Sequence, residues 1–230
     1  MSKIVAISQS NYIPWKGYFD IIAKADEFII YDEAQFTKND WRNRNKIKTP
    51  NGLQWLTIPV HGSTQKKINE VKIAQSDWNR DHLKTIHQFY KNAEGYDTFA
   101  AWLKDVYERA DFEFLSDINI FFIKEINQVL GIHTPIKKSK DYEFEGDPTQ
   151  KVISLCKQSQ ADIYLSGPAA KSYLEISKFE EAGIKIEWMN YSNYQEYSQY
   201  YGSFSHQVSI LDLILNTGKG ANNFLKYTNA

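Results

Sequence analysis

The chain has 230 residues, a length that suits one large domain or a core domain with an insertion. Its formal net charge is −1 while aromatic residues make up 15% of the chain, and the near-zero charge argues against a dedicated nucleic-acid-binding domain. The single cysteine, Cys156, excludes an internal disulfide and a cysteine-rich zinc site and suits the reducing cytoplasm, and no apolar run is long enough to predict a transmembrane helix.

The first 32 residues predict a strand, a loop, a helix and a second strand. The sequence KIVAIS at 3–8 is a β-branched apolar run typical of a buried strand, and residues 28–31 form a second such run. Between them, residues 17–24 carry apolar side chains at helical spacing. This order predicts a β-α-β unit with two parallel strands.

The middle of the chain predicts an inserted β-hairpin and helical region over about residues 36–132. Residues 42–48 and 53–60 have strand-like composition, and the turn sequence Thr49-Pro50-Asn51-Gly52 joins them into a hairpin. A third strand is predicted over residues 69–73. Three helices are predicted to follow, over about residues 78–91, 98–110 and 115–130.

The C-terminal third returns to alternating strands and helices. Strands are predicted at 134–138, 162–165 and 184–188, and helices at 148–158, 169–182 and 208–216. The two ends of the chain therefore predict two halves of one parallel sheet. The expected architecture is a single α/β domain over residues 1–230, with a Rossmann-like parallel sheet and the hairpin and helical region inserted into it.

The loop after the first strand is the first candidate binding segment. In open α/β sheets, ligands bind beyond the carboxyl ends of the strands, where this loop lies. Amide groups, aromatic rings and a glycine that allows close approach occur together there, in Gln9, Asn11, Tyr12, Trp15, Gly17 and Tyr18. A stiff turn with packed aromatic rings is the alternative interpretation.

Two residues are candidate general bases. Asp32 follows the second strand, where a carboxylate can accept a proton or bind a hydroxyl group, although an exposed acidic loop has the same sequence. His61 ends the hairpin and is the histidine we consider for catalysis, against the alternative of a structural or exposed side chain. No two histidines have the i, i+4 spacing of a helical metal site, so no metal is predicted.

A row of cations occupies the first strand of the hairpin. Arg42, Arg44, Lys46 and Lys48 alternate along the chain and are predicted to share one face. Because such a row repels itself, it favours an anionic partner, and the arginine fork matches phosphate oxygens. The row predicts a phosphate or diphosphate site. A charged edge strand that resists aggregation and an RNA-binding surface are alternatives, and the pI of 6.5 counts against RNA.

A fourth segment, Leu165-Ser166-Gly167-Pro168, joins a predicted strand to a predicted helix. Such a junction can direct backbone N–H groups at a phosphate or carboxylate. It has neither the full glycine-rich nucleotide fingerprint nor the Gly-x-Ser-x-Gly of a nucleophile elbow, so a structural turn is the alternative.

Six segments in chain order resemble the WbqC-like protein family. They are QSNYIPWKGYF at 9–19, YDEAQF at 31–36, WRNRNKIKTPNG at 41–52, WLTIPV at 55–60, YLSGP at 164–168 and VSILDL at 208–213. Ser10 departs from the pattern, since proline is expected there. The resemblance implies as site residues Asn11, Tyr12, Trp15, Asp32, Gln35, Arg42, Asn43, Arg44 and Ser166. The patterns described above add to the binding set Gln9, Gly17, Tyr18, Trp41, Lys46 and Gly167.

The resemblance implies a role in bacterial surface-polysaccharide biosynthesis of the O-antigen type, because genes of this family tend to lie with polysaccharide genes. The implied reaction is acyl or aminoacyl transfer to a nucleotide-linked amino sugar, with the donor, any cofactor and the oligomeric state left open. In this hypothesis the diphosphate is held by Arg42, Arg44 and Lys46. Tyr12 and Trp15 stack on the base or the sugar, and Asp32 or His61 takes a proton from the sugar amine.

Two further hypotheses remain open at this stage. One is an ATP-dependent ligase that forms an adenylate at the loop of residues 9–18. The other is a non-catalytic binding or scaffold subunit of a polysaccharide assembly complex.

Overall fold

The computed structural model describes residues 2–61 and 65–228 of the chain. Along the chain the strands are β1 (Ile4–Ser8), β2 (Glu27–Ile30), β3 (Arg44–Thr49), β4 (Gly52–Thr57), β5 (Ile136–Lys138), β6 (Ile163–Ser166) and β7 (Lys185–Trp188). The helices are α1 (Lys16–Lys24), α2 (Trp78–Tyr90), α3 (Tyr96–Arg109), α4 (Leu115–Val129), α5 (Pro148–Gln158), α6 (Ile176–Glu181) and α7 (Ile210–Thr217). None of the described helices has the length and apolar character that crossing a membrane requires.

Five strands form one parallel sheet in the order β5-β2-β1-β6-β7, and β3 and β4 form a separate antiparallel hairpin. The chain builds outward from β1 to β2 and β5, then returns to the other side of β1 for β6 and β7. The direction of winding therefore reverses between β1 and β6, which makes this position a topological switch point. The prediction of a Rossmann-like α/β fold with an added hairpin is confirmed.

The inner parallel strands β1, β2 and β6 are largely apolar on both faces because helices cover both sides of the sheet. Side chains alternate along each strand, so neighbouring residues enter different cores. Ala6 and Phe28 belong to the larger core, which α1, α4 and α7 share, whereas Val5 and Ile29 belong to the smaller core with α5 and α6. All four side chains are fully buried. This double burial explains the uninterrupted apolar runs that mark β1 and β2 in the sequence.

The predicted third strand at 69–73 is wrong. The structure has a short 3-10 helix at Ile68–Glu70, and Ile73 makes one isolated bridge to Val60. The backbone there is bound elsewhere, since the Val71 carbonyl accepts from the Leu115 N–H at 2.9 Å at the start of α4.

The predicted helix at 169–182 is divided. A 3-10 helix covers Pro168–Ser172, and α6 begins only at Ile176. The interruption coincides with a bond outside the segment, in which the Glu175 N–H donates to Thr149 Oγ1 of α5 at 3.2 Å.

Residues 189–209, which we call the strap, contain neither helix nor strand yet are firmly attached. The Tyr197 hydroxyl donates to Asp212 Oδ1 on α7 at 2.7 Å, and the Tyr201 hydroxyl donates to the Phe89 carbonyl of α2 at 2.9 Å. The ammonium of Lys16, on α1, lies 4.8 Å from the centre of the Tyr194 ring. These contacts account physically for the tyrosine-rich run in this part of the sequence.

Candidate functional site

A cleft of about 700 Å³ opens at the switch point of the sheet, and we call it the switch-point cleft. Its volume lies within the range of pockets that bind small ligands. Five of the predicted binding residues line it, namely Gln9, Gln35, Arg42, Ser166 and Gly167. They come from three distant parts of the chain, so the fold brings together the ends of β1, β2 and β6 and the segment before β3.

Arg42 is the most constrained cation of this cleft. Its Nη1 donates to Asn11 Oδ1 and its Nη2 donates to Gln9 Oε1. Its Nε is buried and has no acceptor among the described residues. The nearest carboxylate is that of Asp40, 4.0 Å from Nη2. Neutral amides thus hold the guanidinium in one orientation without neutralising its charge, which is an arrangement suited to an anionic ligand.

Sequence reasoning missed Lys151, which lies on α5 and lines the same cleft. Its ammonium makes no hydrogen bond or ion pair with any described residue. The cleft therefore contains a second cation, together with the carboxylate of Glu33 and the rings of Tyr31 and Tyr173. The signal for Lys151 was weak, because one lysine in the first turns of an amphipathic helix is ordinary and only the sheet order places α5 beside β1.

Asp32 does not line the switch-point cleft. It is 4% exposed, its Oδ1 accepts from the Ser10 N–H at 2.8 Å, and its Oδ2 accepts from the Ser116 hydroxyl at 2.5 Å. Burial raises the pKa of this carboxyl, while the hydrogen bonds from Ser116 and Ser10 oppose the shift. Asp32 borders a different polar cleft of about 470 Å³, which also includes Lys138. With both oxygens bonded, Asp32 joins the loop after β1 to α4, a positioning role that differs from the predicted general base.

Replacing Asp32 with alanine should lower the free energy of unfolding by about 2 kcal/mol, because a buried backbone N–H and a buried hydroxyl lose their acceptor. Asparagine keeps one acceptor oxygen for Ser10, and the hydroxyl of Ser116 can reverse and accept from the new amide. We therefore expect D32N to stay within about 1 kcal/mol of the wild type in urea denaturation. Equal destabilisation by both substitutions would contradict this assignment.

Three further predicted binding residues are part of the core. The Tyr12 hydroxyl is hydrogen-bonded to His82 Nδ1 at 2.9 Å and to the Tyr107 hydroxyl at 2.7 Å, and its ring is fully buried. Tyr18 is also buried and donates to the Gln9 carbonyl at 2.9 Å. Asn43 is buried and donates from Nδ2 to the Ile58 carbonyl at 3.0 Å. For Tyr12 and Tyr18 the alternative of a packed turn describes the structure, since their rings are buried and no ring face is left for a ligand.

The two glycines of the predicted set differ in what they allow. A Cβ atom at Gly17 would lie 2.3 Å from a ring carbon of Trp15, so glycine there lets the indole fold onto the start of α1. At Gly167 the nearest atom to such a Cβ is the Tyr191 hydroxyl at 3.7 Å, which is an ordinary contact. Gly17 therefore serves the packing of Trp15, whereas the structure imposes no such requirement at Gly167.

A second opening of about 320 Å³ is lined by other residues of the loop after β1, and we call it the indole pocket. The predicted residues Asn11, Trp15 and Trp41 line it, together with Asn45 and His206. Burial and then the charge of Lys16 lower the pKa of His206. Sequence reasoning missed His206 because the strap that brings it to the pocket has no regular secondary structure.

The cationic row is not continuous. Arg42 precedes β3 and enters the switch-point cleft, whereas the Arg44 guanidinium lies 4.0 Å from the Trp55 ring centre and the Lys46 ammonium 4.7 Å from it. Lys48 is buried and donates to Gln199 Oε1 of the strap at 2.7 Å. The prediction that all four cations share one face is wrong. Side chains alternate between the two faces only along β3, and β3 begins at Arg44 and not at Arg42. Of the four cations in the row, only Arg42 lines the switch-point cleft.

His61 is exposed and lines neither the switch-point cleft nor the indole pocket. Its N–H donates to the Lys72 carbonyl at 2.9 Å, which ties the end of the hairpin region to the segment before α2. Within the described ranges, no group of three or more His, Cys, Asp or Glu side chains is placed to hold a metal ion.

The strand order and the separate hairpin define a Rossmann-like α/β protein, and the cleft at its switch point is lined by the cations Arg42 and Lys151. The model of the WbqC-like protein family matches residues 9–224, and the chain belongs to this family. A Mycobacterium tuberculosis (strain ATCC 25618 / H37Rv) protein described as "Uncharacterized protein Rv1507c" is 45% identical over 227 residues, which cover 98% of each chain. No solved structure shows significant similarity to the chain.

Proposed function

We propose that this protein binds a nucleotide-linked amino sugar in the switch-point cleft and transfers an acyl or aminoacyl group to the sugar amine. The association of the WbqC-like family with surface-polysaccharide genes supports this substrate class. The switch point supports it independently, because this is where open α/β sheets bind nucleotides.

The observation that carries the proposal is the state of Arg42. Two of the five N–H groups of its guanidinium donate to the amide oxygens of Gln9 and Asn11, so the group is held in place while other N–H groups remain without an acceptor among the described residues. A diphosphate offers the acceptors that this cation lacks, and Lys151 supplies a second positive charge in the same cleft. Tyr31 and Tyr173, the latter 62% exposed, provide aromatic surface for the nucleoside.

The reaction requires the amine nitrogen to attack the carbonyl carbon of an activated acyl donor. A C–N bond forms, the bond from the carbonyl carbon to the leaving atom of the donor breaks, and the leaving group departs with that electron pair. The amine loses its proton to a base. In this scheme the cleft fixes the position of the substrate, which is a large part of what such a transfer needs.

A calorimetric titration tests the proposal with a panel of nucleoside diphosphates and their amino-sugar conjugates. We expect at least one conjugate to bind, and K151A to raise its dissociation constant about tenfold, since a charge-assisted contact contributes about 1.5–3 kcal/mol. The matched control is K157A, because Lys157 is an exposed lysine of the same helix that does not line the cleft. K157A should bind like the wild type.

Failure of the folded protein to bind every conjugate would overturn the proposal, as would equal losses in K151A and K157A. ATP belongs in the same panel, because ATP binding with release of pyrophosphate in the presence of an acid would favour the adenylate-forming ligase. A stable protein partner together with no nucleotide binding would favour the scaffold subunit.

A further inference from the structure

We infer that the indole pocket is the subsite for the sugar ring of the nucleotide sugar, separate from the switch-point cleft that takes the nucleotide. The inference rests on the proposed function and assigns the two ends of the substrate to two different openings. The occupant that we assign to the pocket is a pyranose ring that carries an amino group.

The position of Arg42 connects the two openings. One of its terminal nitrogens donates to Gln9, which lines the switch-point cleft, and the other donates to Asn11, which lines the indole pocket. The two amides are therefore separated by the width of one guanidinium group. A diphosphate bound at Arg42 has the nucleoside on its cleft side, so the sugar that leaves its other end is directed toward the pocket.

The chemistry of the pocket suits a sugar ring. Trp15 and Trp41 give it broad apolar faces, and Asn11, His206 and Gln207 give it a polar rim. A pyranose needs both, because its C–H groups pack on an indole while its hydroxyl and amino groups need hydrogen-bonding partners. The ring nitrogens of His206 have no hydrogen-bond partner within the described chain, so they remain available to such groups. The volume of about 320 Å³ accommodates one ring and is less than half that of the cleft.

The wall of the pocket is also held in a strained conformation. Ile13 has φ +37°, which is unusual for a β-branched residue. Asn45 maintains this turn, since its Nδ2 donates to the Tyr12 carbonyl at 3.1 Å and to the Ile13 carbonyl at 2.9 Å. Trp15 is fixed in turn by edge contacts with Tyr191 and Tyr194 of the strap. Strain that the surrounding structure maintains is characteristic of binding sites, and here it forms the wall that carries Trp15.

The test compares the bare nucleoside diphosphate with its amino-sugar conjugate by calorimetry in the wild type and in W41A. Trp41 is 41% exposed, so its loss should not impair folding. We expect the wild type to bind the conjugate about tenfold more tightly than the bare diphosphate. In W41A the conjugate should bind no more tightly than the bare diphosphate, while the affinity for the bare diphosphate is unchanged. The control is W102A, because Trp102 is a half-buried tryptophan of α3 that lines neither opening, and it should keep the tighter binding of the conjugate.

Equal affinity of the wild type for the diphosphate and the conjugate would overturn this inference and leave the proposed function intact. Parallel loss of both affinities in W41A would also overturn it, because the pocket would then hold the nucleoside. Absence of binding by every nucleotide would overturn the proposed function and this inference together.

Discussion

Replacing Arg42 with alanine is expected to weaken binding of the nucleotide sugar by about 100-fold, which corresponds to about 2.7 kcal/mol. The substitution removes the fixed cation of the switch-point cleft and frees the two amide oxygens, of Gln9 and Asn11, that orient it. Lysine at this position keeps the charge but replaces the planar fork of five donors with a compact ammonium of three, which does not reproduce the geometry that joins both amides to a phosphate. R42K should therefore recover only part of the lost affinity, as measured by calorimetry.

R44A is the matched control for R42A. Arg44 is two residues further along the chain, but its guanidinium packs on Trp55 and lies outside the cleft. We expect R44A to bind the nucleotide sugar as tightly as the wild type does. Equal losses in R42A and R44A would restore the interpretation of a single cationic row and contradict the separation that the structure shows.

The largest loss of stability is expected from replacing Asp212, a fully buried carboxylate of α7. Its Oδ2 accepts from the Tyr90 hydroxyl at 2.6 Å, and its Oδ1 accepts from the Tyr197 hydroxyl at 2.7 Å and from Gln199 Nε2 at 2.8 Å. D212A leaves the buried hydroxyls of Tyr90 and Tyr197 without this acceptor and removes the bonds of Tyr197 and Gln199 that hold the strap to Asp212. We expect the free energy of unfolding to fall by about 3–5 kcal/mol in urea denaturation, whereas E181A, at an exposed position, should change it by less than about 0.5 kcal/mol.

The pH dependence of this loss follows from the pKa of Asp212. Burial raises this pKa, against the hydrogen bonds from Tyr90, Tyr197 and Gln199, so the folded state keeps the proton to a higher pH than the unfolded state does. The contribution of this raised pKa to the free energy of unfolding is complete at pH values below the pKa of the unfolded state. It is lost as the pH rises through the pKa of the folded state. The difference in stability between the wild type and D212A should therefore narrow as the pH increases. A difference that widens with pH would contradict the direction of the shift.

The sequence predicted the sheet better than it predicted the site. The apolar runs at β1 and β2 can be read directly because strands buried on both faces lack polar residues. Helix α5 begins as predicted, since Asp147 caps it and Pro148 occupies its first position. The hairpin follows from its Pro-Asn-Gly turn. These features depend on local chemistry, and local chemistry is visible in a sequence.

The site depends on contacts between distant parts of the chain. Tyr12 and Trp15 are aromatic residues of one irregular loop, yet Tyr12 is fully buried while Trp15 lines a pocket. No periodicity separates them, because the loop is neither helix nor strand and is bent by the unusual backbone of Ile13. Arg42 and Lys151 are 109 positions apart in the sequence and meet in one cleft only because β1 lies between β2 and β6.

The central claim, that a nucleotide sugar binds at the switch point with its diphosphate on Arg42, is tested most directly by a crystal structure of the complex. The claim predicts diphosphate oxygens within hydrogen-bonding distance of the Arg42 guanidinium and the Lys151 ammonium, with the nucleoside in the switch-point cleft. A bound nucleotide sugar whose diphosphate contacts neither cation, or that occupies a different face of the sheet, would contradict it.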